Sequence, residues 1–244
     1  MDSPSSLSRA NSFIAAGTVS IIYAVDNNNV IKIRPTSGEF ERQAHEIEIR
    51  SYKRLGHHKR IASCEVTEEG LILERGTCLR GILQSVGESA IPWAMKLQWA
   101  LEAAEGLEYI HSRGIIHADV GCHNIIVDNA KHVKFIDFAG SGIDGEAPLV
   151  CYEWCSFNPG VEIGICSDIF AFGSMLFELE TGFVPYHELE RTLEKGKLVT
   201  AVEEYFLQQE FPPVKTLAFG SIIGGCWNGK YTSIDEVHRD IALL

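Results

Sequence analysis

The sequence predicts an α+β protein in which a small antiparallel β-sheet precedes a mainly helical part. Residues 13–75 contain short β-rich runs separated by turn signals, with one helical stretch among them. Residues 76–244 contain the strongest helical periodicity of the chain, which begins after Pro92. A chain of 244 residues with 45% hydrophobic residues can bury a substantial core, as one domain or as two lobes that share a cleft.

Composition and charge narrow the class of protein. The net charge of −12 argues against a broad nucleic-acid surface, and no apolar run is long enough for a membrane span. The seven cysteines include no Cys-x-x-Cys pair, which predicts reduced thiols and a cytoplasmic or nuclear location. Residues 1–12 are rich in serine and lack the apolar centre of a secretory signal, so we expect a disordered leader.

The first elements are strands joined by turns. Phe13 to Val25 predicts two strands with a turn, and the run from Asp26 to Asn29 predicts the turn that follows. The run from Val30 to Ile33 is a β-rich strand with a single lysine, Lys32. The alternation along this strand permits a solvent-facing side chain at that position.

One helix and a second pair of strands complete the first part. Glu39 to Leu55 is helical by composition, and Gly56 is a typical C-terminal stop. Ile61 to Val66 and Gly70 to Leu73 predict the two strands of a hairpin. The strongest helix of the second part opens at Pro92, and its apolar stripe comprises Leu97, Ala100, Leu101, Ala104, Leu107 and Ile110.

Two acids and an amide follow this helix on a short loop between apolar runs. Asp119 and Asn124 belong to the stretch from His117 to Asn124, and Asp137 follows the next apolar run. Their spacing suits phosphoryl transfer, in which a protein mainly positions the reactants and holds Mg²⁺ against developing charge. Asp119 can take the hydroxyl proton, and the oxygens of Asn124 and Asp137 are hard ligands for Mg²⁺.

These residues resemble the catalytic and metal-binding loops of the protein kinase family, which read His-Arg-Asp, four residues, Asn, and then Asp-Phe-Gly. Here Ala118 replaces the arginine and Ala139 replaces the glycine. The chain resembles a small, divergent kinase of the kind common in fungal genomes. The resemblance implies a bilobal fold, with an N-lobe over residues 13–75 that contains helix C and a mainly helical C-lobe over 76–244. It also implies ATP as the phosphate donor.

The resemblance assigns the phosphate side of the nucleotide site to the N-lobe. Ala15, Gly17 and Ser20 stand at the three glycine positions of the kinase glycine-rich loop, and small residues let backbone approach phosphates. Lys32 would touch the α- and β-phosphates and pair with a glutamate of helix C, for which Glu48 is the choice.

The choice of this glutamate follows from the helix period. Counting back from the end of the helix favours Glu48 over Glu46, which faces another way by about 200° of rotation. On the adenine side, the resemblance implies that backbone groups of Glu74 and Gly76 pair with the base and that Leu73 sits at the back of the pocket. The resemblance also implies that Ile22 and Ile126 contact the bound ATP.

One departure from the family pattern lies inside the catalytic loop. Serine/threonine kinases place a lysine two residues after the catalytic aspartate, where this chain has Gly121. A glycine cannot steady the γ-phosphate, and we expect Cys122 and His123 to offer no fixed cation at neutral pH. Nucleotide binding should therefore tolerate this departure better than turnover does.

Other departures concern the activation segment, Ser141 to Gly160. Asn158-Pro159-Gly160 stands where kinases have Ala-Pro-Glu, and Ala118 removes the arginine that gathers a phosphorylated segment. We expect the segment to be ordered by its own packing, with Phe157 and Pro159 against the large lobe. The alternative is that Arg50 or Arg54 of helix C replaces the missing arginine. Beyond the segment, Cys166 to Leu179 resembles the buried helix F, with Ser167 as its cap and Asp168 bound to the catalytic-loop backbone.

Three classes of function stay open. The first is a serine/threonine protein kinase or kinase-like ATPase, which includes the atypical small kinase of the tRNA-modifying KEOPS complex. The second is a small-molecule phosphotransferase that resembles aminoglycoside or choline kinases. The third is an ATP-binding pseudokinase that serves as a scaffold. The protein substrate and the oligomeric state are open in each case.

Overall fold

The computed structural model describes residues 12–17, 20–34, 38–86, 91–149 and 152–244. The predicted leader therefore lies outside the described residues, apart from Ser12. The strands within these ranges are β1 (Phe13–Ala16), β2 (Ile21–Ala24), β3 (Asn29–Ile33), β4 (Cys64–Val66), β5 (Leu71–Glu74), β6 (Thr77–Cys78), β7 (Ile115–Ile116), β8 (Ile125–Val127), β9 (Val133–Phe135) and β10 (Gly142–Ile143). The helices are α1 (Glu39–Leu55), α2 (Leu79–Val86), α3 (Trp93–Ser112), α4 (Ile165–Thr181), α5 (Lys195–Leu207), α6 (Gly220–Trp227) and α7 (Ile234–Ile241).

The first lobe is a sheet packed with one helix. In the described part of the chain, five strands pair antiparallel in the order β1-β2-β3-β5-β4. Helix α1 has the predicted bounds, and its buried Ile47 joins Leu71 and Leu73 of β5 in the core. The register places Lys32 opposite Ile22 on β2 and opposite Leu71 on β5, in the middle of the sheet.

The strand predicted over Ile61–Val66 is shorter in the structure and covers Cys64–Val66. Ile61 instead forms an isolated parallel bridge with Phe135 of β9. Phe135 N donates to Arg60 O at 2.8 Å, and Ala62 N donates to Phe135 O at 3.0 Å. These residues join the first lobe to the second, so their backbone groups are not available for pairing with β5.

Helices α3 and α4 form the centre of the second lobe. Every residue from Ser167 to Leu179 of α4 is buried, which explains why apolar residues occur on every side of this helix, beside the buried carboxylates of Asp168 and Glu178. The predicted cap at Ser167 is wrong: Gly164 is the N-cap, and Ser167 lies in the first turn, where its Oγ accepts from Gly164 N at 2.7 Å. Among the described residues, none of the helices combines the length and apolar character needed to cross a bilayer.

Short strands of the second lobe position its loops. Strand β8 pairs with β6 and β9, and β7 pairs with β10, all antiparallel. The loop between β7 and β8 carries residues 117–124, and the loop between β9 and β10 carries residues 136–141. Ile136 N donates to Asn124 O at 3.0 Å, so the two loops lie side by side.

The end of the activation segment follows only part of the expectation. Phe157 packs against the core, whereas Pro159 is exposed. Tyr152 is buried, and its hydroxyl contacts Asp168 of α4 in a short hydrogen bond. The segment is therefore anchored to the large lobe through Tyr152 and Phe157, and the prediction for Pro159 was wrong.

Candidate active site

Lys32 connects β3, α1 and the loop after β9. Its Nζ donates to Glu48 Oε1 at 2.7 Å and to Asp137 Oδ1 at 2.8 Å. The lysine side chain is only 5% exposed, so it does not face solvent, although the alternation of β3 permits that reading. The structure thus brings together three residues that are far apart in sequence and that the sequence assigned to one site.

Electrostatics keep Lys32 charged at this position. Burial alone would lower the pKa of Lys32, but Glu48 and Asp137 outweigh burial and raise it above its ordinary value. Burial would likewise raise the pKa of Asp137, but Lys32 outweighs it and holds that pKa below its usual range. The result is a fixed ammonium group between two carboxylates, which suits the binding of phosphate oxygens.

The predicted catalytic loop is closed by its own amide. Asn124 Nδ2 donates to Asp119 O at 2.9 Å and to Asp119 Oδ2 at 2.8 Å. Asn124 lies in a single 3₁₀ turn, Cys122–Asn124, directly before β8, and is 5% exposed. The amide nitrogen is therefore used to orient Asp119, and the amide oxygen is the atom left for a metal ion.

The residues next to Lys32 fit a magnesium ion. In the described ranges, His, Cys, Asp and Glu side chains form no cluster of three or more that could enclose a metal. Mg²⁺ is commonly held by one or two protein oxygens, while substrate phosphates and water complete the octahedron. The Asn124 amide oxygen and the Asp137 carboxylate, whose side chain is 44% exposed, offer such a donor pair.

A buried carboxylate holds the backbone of the catalytic loop. Asp168 Oδ2 accepts from His117 N at 2.9 Å, and Asp168 Oδ1 accepts from Ala118 N at 3.0 Å. His111 Nε2 and the hydroxyl of Tyr152 also contact this carboxylate. Ala118 has φ of 62°, a left-handed conformation that costs roughly 1–2 kcal/mol for a residue with a Cβ atom, so these bonds offset local strain.

His117 serves as a packing centre rather than a charge. Burial lowers its pKa, and its Nε2 lies 3.2 Å from Ile136 O, which accepts a hydrogen bond from the neutral ring. The His117 and Phe138 rings are 5.1 Å apart, and Phe138 packs edge-on against Tyr52 of α1 at the same distance. These ring contacts connect α1 to the catalytic loop through Tyr52, Phe138 and His117.

The residues predicted for the adenine side of the site lie at the junction between the two lobes. Leu73 is 6% exposed, and its place at the back of the adenine pocket stays a prediction. Glu74 N donates to Ser63 O at 3.0 Å, so only the Glu74 carbonyl remains for adenine. Gly76 packs closely on Ile126: a Cβ atom at residue 76 would lie 2.8 Å from Ile126 Cβ.

The loop assigned to phosphate contacts is the hairpin between β1 and β2. Ala15 and Gly17 are exposed, and Ser20 is buried. Gly17 N donates to Ser20 O at 2.8 Å, and residues 18–19 lie outside the described residues. Ile22 is half-buried opposite Lys32, next to the predicted phosphate contacts. The assignments of these four residues to the nucleotide site stay predictions.

The protein tyrosine and serine/threonine kinase model matches residues 30–240, which include the lysine strand, both loops and α4. The chain belongs to the protein kinase family. This result confirms the predicted bilobal fold with a small antiparallel N-lobe sheet and a helical C-lobe, and it confirms a kinase domain as the enzyme class. The roles of individual site residues stay predictions.

Similar proteins are kinases by name. A probable serine/threonine-protein kinase of Dictyostelium discoideum is 32% identical over 167 residues, which cover 64% of this chain and 12% of that protein. A serine/threonine/tyrosine-protein kinase of Arabidopsis thaliana is 25% identical over 155 residues, which cover 61% of this chain and 39% of that protein. A probable protein kinase of D. discoideum is 28% identical over 200 residues, which cover 72% of this chain and 54% of that protein. The kinase chain spans a minor part of the first of these relatives and little more than half of the last.

Sequence reasoning missed a charged cluster beside the catalytic loop of this kinase domain. Arg80 of α2 makes a double hydrogen bond to Glu153 of the activation segment, at 2.8 and 2.7 Å. The same guanidinium donates to Glu178 of α4 at 2.5 and 2.9 Å. A lone arginine in a short amphipathic helix gives no motif, so only the packing of α2, α4 and the segment shows this cluster.

The expectation that His123 offers no fixed cation stays a prediction, and the surroundings of the ring favour its charged form. His123 Nε2 lies 3.2 Å from Asp119 Oδ2, and Nδ1 lies 3.1 Å from Glu153 Oε2. Burial alone would lower the pKa of His123, but the two carboxylates outweigh it and raise the pKa to about 10. The expectation treated His123 with its ordinary pKa, because the glutamate 30 positions further along the chain carries no local signal.

Proposed function

We propose that this kinase domain transfers the γ-phosphate of ATP to a serine or threonine hydroxyl of a protein. The observation that carries the proposal is the direct contact of Lys32 with both Glu48 and Asp137, beside the Asp119–Asn124 pair. Relatives named as serine/threonine-protein kinases support the choice of acceptor. A domain without catalytic function would not need these buried ion pairs, because removing their charges from water costs desolvation free energy.

Each residue has a separate task in the proposed reaction. Lys32, held by Glu48, would bind the α- and β-phosphates, which keeps the nucleotide in one orientation. Asp119, oriented by Asn124, would position the acceptor hydroxyl and take its proton. Asn124 and Asp137 would hold Mg²⁺, which when bound would supply positive charge against the charge that develops on the phosphates.

Transfer of labelled γ-phosphate to a serine/threonine peptide library tests the proposal. Asp119→Asn should lower turnover by about 10² or more and leave ATP affinity within about twofold, since its task belongs to the transition state. Asp235→Asn is the matched control, because Asp235 is half-exposed on α7 and pairs only with Arg239 among the residues described.

Two outcomes would reject the proposal. Equal transfer by the wild-type and Asp119→Asn proteins would assign the signal to a contaminating kinase. Binding of Mg²⁺ and ATP without any transfer would favour the pseudokinase reading. In that case the departures at Gly121 and Ala139 would have abolished turnover while the nucleotide site persisted.

A further inference from the structure

Glu153 is the centre of a chain of charged side chains that leads away from Asp119. Its Oε2 lies 3.1 Å from His123 Nδ1, and the guanidinium of Arg80 covers its carboxylate from the other side. Arg80 is 19% exposed and Glu178 is 4% exposed, so the end of this chain is buried in the large lobe. The Glu153 cluster comprises Asp119, His123, Glu153, Arg80 and Glu178.

The space beside Asp119 is shaped for the His123 ring. A Cβ atom at residue 121 would lie 2.6 Å from His123 Nδ1 and 2.7 Å from His123 Cε1. The ring therefore fills the volume where a side chain at residue 121 would begin. A side chain at residue 121 would displace this ring, whereas the backbone of Gly121, with φ of 178°, is extended and open to any residue.

We propose that Glu153 is a positioning residue for the catalytic loop, which fixes the His123 ring against Asp119 while Arg80 ties Glu153 to α4. The inference rests on the proposed function, in which Asp119 positions the acceptor hydroxyl. Among the described residues, the ring without Glu153 keeps polar contacts to Asp119 and Asn124, both of which belong to its own loop.

The geometry explains how the activation segment and the loop are held together. The double hydrogen bond from Arg80 fixes both oxygens of Glu153, so its position is set by α2 and α4 and not by the segment alone. Glu153 can then act on His123 as a rigid neighbour. A displaced His123 ring would leave Asp119 Oδ2 with the Asn124 amide and without the ring beside it. A misplaced base costs turnover far more than nucleotide binding.

Hydrogen exchange and kinetics on the full chain test the proposal. In Glu153→Gln protein, we expect amides of residues 119–124 to exchange about tenfold faster, while amides of α4 keep their wild-type rates and serve as the internal reference. The kcat for peptide phosphorylation should fall about tenfold, and the KM for ATP should change less than twofold. Glu162→Gln is the matched control, since Glu162 is exposed in the same stretch of chain.

A double variant separates positioning from general stabilisation. If Glu153 acts through His123, adding Glu153→Gln to His123→Gln should change kcat less than twofold further. A further tenfold loss in the double variant would overturn the proposal, as would unchanged exchange of residues 119–124 in Glu153→Gln. If the wild-type protein transfers no phosphate while residues 119–124 exchange faster in Glu153→Gln, the proposed function is rejected and the positioning contact is still supported.

Discussion

Two glutamates on α1 show how position around a helix separates a buried ion pair from a surface charge. Glu48 is 1% exposed and contacts Lys32, whereas Glu46, two residues earlier, is exposed. A separation of about 200° around the axis places them on nearly opposite faces. The family resemblance implied a glutamate on α1, and the helix period, counted back from Leu55 and Gly56, was enough to choose Glu48 over Glu46.

The first prediction compares these two glutamates directly. Glu48→Gln should lower the affinity for ATP with Mg²⁺ by about tenfold, because Lys32 loses the partner that holds it towards the cleft. It should also destabilise the fold by about 3 kcal/mol, the cost of breaking a buried pair. Glu46→Gln should change stability by less than about 0.5 kcal/mol. Urea unfolding and calorimetric titration measure both effects, and equal behaviour of the two variants would contradict the assignment.

The second prediction concerns Gly121. A lysine here would match the family pattern, yet its Cβ would enter the space of the His123 ring at 2.6 Å. We therefore expect Gly121→Lys to lower turnover, because the ring must leave Asp119 to make room. Gly121→Ala should show the same direction with a smaller loss. Steady-state phosphorylation rates test this, and a rise in turnover for Gly121→Lys would show that the missing cation, not the ring position, limits the rate.

At the scale of elements, α1 is tied to the start of the activation segment by two arginines. Arg50 makes two hydrogen bonds of 2.9 Å to Glu146, and Arg54 contacts Asp144 at 2.8 and 2.7 Å. The alternative prediction was that one of these arginines binds a phosphate group on the activation segment. The structure shows them engaged by carboxylates of the segment itself, a geometry that is stronger than a single-contact surface pair.

This arrangement predicts that activity does not depend on phosphorylation of the segment. Phosphatase treatment should change the phosphorylation rate less than twofold. Arg54→Ala should lower the rate, because α1 carries Glu48 and loses one of its two ties to the segment. The combined Arg54→Asp and Asp144→Arg exchange should restore much of the rate at low salt, where exposed charges are least screened. A tenfold loss after phosphatase treatment, about 1.4 kcal/mol of transition-state stabilisation, would contradict this reading.

Helices whose ends are marked by nearby residues were predictable from the sequence. Elements whose bounds depend on contacts with residues far along the chain were not. The bounds of α1 follow from its composition and from Gly56, and α3 begins after Pro92 as its periodicity indicates. The strand at Ile61 was placed wrongly because its partner is Phe135, 74 residues later, which no local pattern shows. The prediction of Ser167 as the N-cap was wrong because α4 begins at Ile165, and its N-cap Gly164 has no side chain that could signal the start.

At the scale of the whole molecule, the candidate site was predictable where spacing encodes chemistry. Asp119, Asn124 and Asp137 could be found from one loop and the two strands after it, β8 and β9. Arg80 and Glu153 could not, since their relation exists only after α2, α4 and the activation segment pack together. Contacts between elements that are far apart in sequence thus carry a weaker sequence signal than residues that share one spaced motif.

The junction between the lobes places a further limit on the nucleotide site. Gly76 lies between β5 and β6, and a Cβ atom there would lie 2.8 Å from Ile126 Cβ and 2.9 Å from Val127 O. Neither atom is the end of a flexible side chain, so the backbone of the junction would have to move. Because Leu73 and Ile126 belong to opposite lobes, such a movement would change the width of the predicted adenine pocket.

The last prediction therefore pairs Gly76→Ala with Gly81→Ala. Gly76→Ala should weaken ATP binding by about tenfold and lower stability by about 1–3 kcal/mol, the usual cost of overpacking. Gly81 is exposed in α2, and a Cβ there would meet nothing within 4 Å. Gly81→Ala should raise stability by about 0.5–1 kcal/mol and leave ATP affinity unchanged. Thermal unfolding with and without Mg²⁺ and ATP measures both variants, and normal ATP binding by Gly76→Ala would place adenine away from this junction.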